Sequence, residues 1–387
     1  MKMLCKAALV CCVLACSFVC IAVEEEPAPL ALPFRPSAAE EIDYSQRRGE
    51  PVKIRATRQL KITAGKDHKS KNNIVAIYVG LPVVDASQDN VVIEAVDSKA
   101  APNNVACSLD GRTLWIEYID VEPGFVDDIT ITFSVDLYER RAALTSARPY
   151  DTSSPLYQRY TTYPVYDGSE AIDVNRDFQL LKAARISPAM EPVDIARRIY
   201  NYLRYALSYG KPATISEGEQ AHCGTYAALF VRLCQAAGVP ARRCAGFALA
   251  ASDDDKLKTT VSGHNWAEFY VEGSGWIPVD PTMGDKTDSR QTYYFGAVDN
   301  ARLCVSKSGY HDQLPLRYKR SAADDLLFTY DASSFERFKC PDTIQGVHRF
   351  QFRYDLPIQI SVPDPYGPSL RVLSRDGMFT KPAPARR

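Results

Sequence analysis

Cys223, His264 and Asp280 are the residues of this chain whose types and settings could make and break an acyl bond. The thiol lies in Ala221-His222-Cys223-Gly224-Thr225-Tyr226-Ala227, the imidazole in Gly263-His264-Asn265-Trp266-Ala267-Glu268, and the carboxylate in Gly275-Trp276-Ile277-Pro278-Val279-Asp280-Pro281-Thr282. A thiol attacks as its thiolate, so it needs a base to ionise it. That base in turn needs an acceptor to fix its tautomer and stabilise the imidazolium. Nucleophile, base and orienter occur in that order along the chain.

Positioning them requires a helix and two strands. Ala227, Phe230, Val231 and Cys234 recur on one helical stripe and Gly238 supplies a stop, which predicts a helix from about Cys223 to Ala237. Cys223 then falls in the first turn, where unpaired backbone N–H groups and the positive end of the dipole favour an anion. Cys234, on the same helix, reads as a small buried hydrophobe. From His264 to Val271 the residues alternate, with His264, Trp266, Glu268 and Tyr270 on one face, and Trp276 to Asp280 forms the next strand-like run. A tight hairpin centred on Gly273-Ser274 would set His264 opposite Met283, so a wider turn or a bulge is needed to bring Asp280 level.

The neighbours of these residues carry weaker signals. His222 precedes the helix start and is expected to point about 100° away from Cys223. The Cys223 N–H can donate to an oxyanion, and Gln220 is either a second donor or a plain loop residue. Asp253-Asp254-Asp255 and Asp285 with Asp288 lack the ligand spacing of a calcium loop and read as solvated turns. With no phosphate-binding glycine loop and no paired CxxC in the sequence, neither metal nor cofactor is expected.

The 387 residues suffice for two ordinary domains, and a composition of 46% hydrophobic and 24% charged residues is globular. Forty-six Lys and Arg balance 47 Asp and Glu, so no net field draws the chain to nucleic acid or an anionic membrane, and no nucleic-acid partner is expected. Residues 1–22 read as a secretory signal: Lys2 and Lys6 precede an apolar run from Ala7 to Ala22, with cleavage expected after Ala22. An uncleaved leader or a lipid on Cys16 is the expected route to any membrane. Export places the chain in the periplasm, the cell envelope or outside the cell. Of the later cysteines, Cys304 and Cys340 form a conceivable pair, but buried free thiols are the preferred reading.

Residues 23–48, rich in Pro, Ala and Glu without periodicity, read as a flexible linker. Residues 49–148 hold short alternating runs at Val52 to Thr63, Asn73 to Leu81, Val91 to Val96, Thr113 to Asp120 and Ile129 to Tyr138, predicting an antiparallel β-sandwich. Residues 149–312 open with a Tyr- and Pro-rich connector to about Asp173. Helical spacing then runs from Ser187-Pro188 to Gly210 and precedes the elements around Cys223, which makes an α+β domain. Residues 313–387 form an extension with strand candidates at Arg349 to Tyr354 and Ile358 to Val362 and a Pro- and Arg-rich end.

From about Ser216 to Tyr310 the chain resembles the transglutaminase-like cysteine superfamily. The resemblance is carried by Cys223-Gly224-Thr225-Tyr226-Ala227, by Phe230 to Arg242 behind it, by Gly246, and by the two stretches around His264 and Asp280. It implies a papain-like α+β core in which Cys223 is the nucleophile, His264 the base and Asp280 its orienter, and the β region ahead is similar to the N-terminal domains of bacterial members. Crosslinking members often place an aromatic donor upstream of the cysteine, yet no tryptophan lies between Trp115 and Trp266. Asn265 stands where many relatives have alanine.

Thiol attack on an amide gives a thioester, and the second step names the enzyme: water makes a protease or amidase, an amine makes a crosslinking transglutaminase. The expectation is a secreted enzyme acting on peptide or glutamine-type amides of a protein or peptide substrate, with hydrolysis favoured slightly for want of the tryptophan. The alternatives are a crosslinking transglutaminase and an inactive binding or scaffold module.

Overall fold

The computed structural model describes residues 31–36, 38, 41–66, 74–107, 113–144, 149–161, 174–213, 220–252, 258–286, 291–307, 347–352, 358–361 and 369–380. The leader, Cys340, Asp253 to Asp255 and Asp288 lie outside these residues. Among the described residues no helix is long and apolar enough to cross a membrane. The fold is α+β, with antiparallel sheets throughout and an all-β region ahead of the helices.

The N-terminal half forms β1 (Arg47–Ala64), β2 (Ile74–Gly80), β3 (Gln88–Ser98), β4 (Asn104–Cys107), β5 (Thr113–Ile119) and β6 (Val126–Arg141). Alternation sets their inward faces: Leu60 and Ile62 of β1, and Ile129, Ile131, Phe133, Val135 and Leu137 of β6, join Val75, Ile77 and Val79 of β2 in one core. One sheet runs β10 (Ala297–Val298)-β6-β1-β13 (Ile358–Ser361), with β3 on β6 and β14 (Leu370–Asp376) on β1, and a second runs β12 (Val347–Phe352)-β2-β5-β4. The late strands β12 (Val347–Phe352), β13 (Ile358–Ser361) and β14 (Leu370–Asp376) therefore add to the sheets of the β region, through pairs such as Phe350 with Ala76 and Ile360 with Ile62.

Among the described residues four helices come next: α1 (Pro155–Thr161), α2 (Val174–Ala183), α3 (Pro192–Ala206) and α4 (Cys223–Ala236). The first of these interrupts the stretch read from sequence as a connector. Helix α3 starts at Pro192 rather than near Ser187-Pro188, with Glu191 as N-cap, because proline suits a helix's first turn. At the far end of α4, Gly238 takes φ +77° while the Val239 N–H returns to the Cys234 carbonyl at 2.8 Å, the left-handed stop a glycine permits.

Strands β7 (Ala241–Ala251), β8 (Thr259–Val271), β9 (Gly275–Val279) and β11 (Arg302–Lys307) form a sheet in the order β11-β7-β8-β9, while α5 (Pro281–Lys286) and β10 (Ala297–Val298) lie in the connection between β9 and β11. Helix α4 is fixed to the sheet by Phe230, Leu233 and Cys234, which share a core with Ala267, Phe269, Val271 and Ile277, and the Phe230 and Phe269 rings meet edge on at 6.2 Å. Truncating one such aromatic costs about 3–5 kcal/mol, so the helix has one seat. At its other end the sheet joins the β region, because Phe247, Leu249, Leu303 and Val305 belong to the sandwich core and β10 pairs with β6.

Candidate active site

Cys223 opens α4 and is partly buried. His222 is the N-cap, with φ −123° and ψ 176°, and its Nδ1 accepts the Gly224 N–H at 3.1 Å. This corrects the expectation that His222 points away. The residue stands outside the helix with extended backbone, so its ring folds over the first turn and fills an orphan-donor site that Ser or Asp often fills. A Cβ on residue 224 would lie 2.8 Å from the His222 ring, so the cap depends on glycine there.

His264 lies in β8 opposite Gly246 of β7, and a Cβ on residue 246 would lie 1.9 Å from the Leu303 carbonyl oxygen. Glycine thus lets β11 close over β7 and backs the strand that carries the imidazole. The His264 ring is buried, stacks on Trp266 with centroids 6.0 Å apart, and meets Asp280 Oδ2 through Nε2 at 2.7 Å.

Asp280 reaches it without a bulge. The β8–β9 pairs run from Val271 with Gly275 to Ala267 with Val279, around a loop in which Gly273 has φ +85°. One further step sets Asp280 level with Trp266, on the face of His264 and diagonal to it, which is within side-chain reach across a sheet. Chain departure from the sheet does the rest: the Asp280 N–H bonds the Tyr294 carbonyl at 2.9 Å, its carbonyl accepts the Gly284 N–H at 3.0 Å, and its Oδ1 caps α5 by accepting the Met283 N–H at 3.0 Å. Behind it Arg302 Nη2 lies 3.6 Å from Oδ2, and Asp299 holds Arg302 at 3.1 Å.

These neighbours set the charges. Burial pushes the Cys223 thiol up, but hydrogen bonds from His222 and His264, the charge of His264 and a hydrogen bond from Asn265 bring it down to about 5. Burial pushes His264 down, but the charge and hydrogen bond of Asp280 and the bond to Cys223 raise it to about 9, against Arg302. Asp280 is held below the usual carboxylate range by His264 and Arg302 in spite of its burial. At neutral pH the site therefore holds thiolate, imidazolium and carboxylate side by side.

Gln220, the oxyanion candidate, is placed differently. Gln220 is exposed, pairs with Pro212 across an isolated bridge, and accepts the Thr225 hydroxyl on its backbone carbonyl at 3.0 Å. The side-chain amide that touches the Cys223 thiol is that of Asn265, whose Nδ2 lies 3.7 Å from Sγ. Its position beside His264 was the available signal. Tyr209 also feels the site, since burial and then the charge of Cys223 raise its phenol. Asp285, weighed as a turn residue, accepts the Tyr226 hydroxyl at 2.6 Å and ties α5 to α4.

Four residues along β8 from His264, Glu268 is buried among Arg140 of β6 at 2.8 Å, Arg242 of β7 at 2.7 Å and Lys307 of β11 at 2.9 Å. Burial would raise its pKa, yet Lys307, Arg242 and Arg140 hold it well below the usual carboxylate range. Lys307 also pairs with Asp85, which precedes β3, and Arg242 stacks over Trp276 at 3.8 Å. One carboxylate thus locks the strand bearing the imidazole to the β region.

Residues 181–281, which include Cys223, His264 and Asp280, match the family model of the transglutaminase-like superfamily. A protein-glutamine gamma-glutamyltransferase of Pseudomonas aeruginosa is 28% identical over 113 residues, which are 26% of this chain and 17% of the relative. The chain thus spans about a sixth of that relative's length. Among solved structures, a protein of Cytophaga hutchinsonii described as a cysteine protease aligns over 84% of this chain and 98% of its own, at 14% identity and a TM-score of 0.41. The periplasmic domain of TgpA from Pseudomonas aeruginosa aligns over 68% of this chain and 96% of its own, at 13% identity and a TM-score of 0.30.

Proposed function

We propose that this chain is an exported cysteine enzyme that cleaves peptide or glutamine-type amide bonds through a thioester on Cys223. The observation that carries the reading is the pairing of His264 with Asp280 at 2.7 Å beside a thiol lowered to about 5. The Cys223 thiolate adds to the amide carbon, and the carbonyl electron pair moves onto oxygen. The intermediate then collapses: the carbonyl re-forms, the C–N bond breaks, and the leaving amine takes the proton that His264 carries. His264, now neutral and held by Asp280, takes a proton from the incoming acceptor, which attacks the thioester and frees the thiolate.

Water is the favoured acceptor, since the chain has no tryptophan between Trp115 and Trp266 to match the donor of crosslinking members. The basic, apolar leader at residues 1–22 supports export. The test is product analysis on a glutamine-containing peptide with and without a primary amine. Acid product that persists when amine is present in excess is expected. Amine incorporation that outruns hydrolysis would make the enzyme a crosslinking transglutaminase.

A further inference from the structure

We infer that the side-chain amide of Asn265 is the second oxyanion donor of this site, acting with the backbone N–H of Cys223; this rests on the acyl-transfer reading above. An amide carbonyl attacked by a thiolate places negative charge on an oxygen two bonds from sulfur, and stabilising it requires N–H donors already in place. The Cys223 N–H is one of the first four of α4, which have no acceptor inside the helix. The second donor must stand within reach of the sulfur on a rigid support.

Asn265 meets both conditions. Its Nδ2 lies 3.7 Å from Sγ, so it reaches an oxygen attached through the carbon bonded to that sulfur. Its side chain is buried, and its backbone pairs with Ala245 in the register that sets His264 opposite Gly246. Base and donor are therefore held by consecutive residues of one paired strand. Gln220, by contrast, is exposed.

In the step assigned to it, the carbon–sulfur bond forms while the carbonyl π pair becomes an oxygen lone pair. Asn265 Nδ2–H and the Cys223 N–H accept that charge as hydrogen-bond donors. As the oxygen pair returns, the bond to the leaving group breaks and His264 delivers its proton to the leaving nitrogen. Asn265 neither gains nor loses a proton.

Two reactions of Cys223 in the full chain separate this role from mere tuning of the thiol. Alkylation by iodoacetamide forms no oxyanion, whereas acylation by p-nitrophenyl acetate does. Each is read on its own pH plateau, with the modified residue located by peptide mass spectrometry. In Asn265→Ala, acylation is expected to fall about 10²–10³-fold while alkylation stays at the wild-type rate. Asn265→Leu keeps the approximate shape without the donor or any charge and carries the same expectation should the alanine variant fail to fold. Parallel loss in both reactions, or no loss of acylation, would overturn the assignment. Wild-type Cys223 whose alkylation rises only near the pH at which a free thiol ionises would overturn the acyl-transfer reading itself.

Discussion

Helix α4 carries a cysteine near each end, and the two are chemically opposite. Cys223, at the N-terminus, is lowered to about 5 by hydrogen bonds and the charge of His264, despite its burial. Cys234, eleven residues on, is fully buried between α4 and the sheet, and burial alone raises it well above the ordinary thiol value. Same residue type and same helix leave only the surroundings to account for the difference. The N-terminal thiol meets two imidazoles and an amide; the other meets apolar side chains of the helix core. A thiolate is thus a property of the helix end and of the strand beside it.

The sharpest way to break the comparison is to remove each thiol. Cys223→Ser is expected to lower turnover of an amide substrate by about 10⁴-fold or more, because a hydroxyl is not ionised where a thiol is. Cys234→Ser is expected to keep the wild-type rate while losing about 1–3 kcal/mol of stability, as an added hydroxyl is buried among apolar groups. Parallel turnover assays and denaturant melts check both; loss of turnover in folded Cys234→Ser would erase the distinction drawn between the two ends.

A smaller effect tests the strand that supplies the imidazole. Glu268→Gln would leave Arg140, Arg242 and Lys307 buried with one carboxylate fewer, at an expected cost of about 3–5 kcal/mol in chemical denaturation. Folded Glu268→Gln is expected to retain a reactive Cys223, because Glu268 acts on the placement of β8 and touches neither His264 nor the thiol. A stability indistinguishable from wild type would show that the charge cluster does not lock the sheet to the β region.

Much of this architecture is local and was legible in the residues. Alternation marked β1, β2, β3, β5 and β6, and the apolar stripe of Phe230 and Cys234 with Gly238 marked α4. Four-residue β4 and seven-residue α1 were too short to show a period. The pairing of β12, β13 and β14 with β2 and β1 joins residues hundreds of positions apart, which no local pattern encodes. At the site, the cap role of His222 and the reach of Asp280 depended on backbone geometry at one residue each. The partners of Glu268 come from β6, β7 and β11, so a carboxylate inside a recognisable motif gave no sign of its three cations.

The central claim is that Cys223 is a thiolate at neutral pH because a charged His264 stands beside it. The rate of iodoacetamide alkylation at Cys223 as a function of pH tests this most directly, with His264→Ala alongside. A thiol lowered to about 5 is deprotonated above that pH and an imidazole raised to about 9 is protonated below that pH, so both charges coexist between them. Wild-type alkylation is expected to rise through about pH 5 and stay level to about pH 9. In His264→Ala the rise should move toward the ordinary thiol value of about 8.5. A wild-type curve that rises only near that ordinary value, or one that His264→Ala leaves in place, would contradict the account.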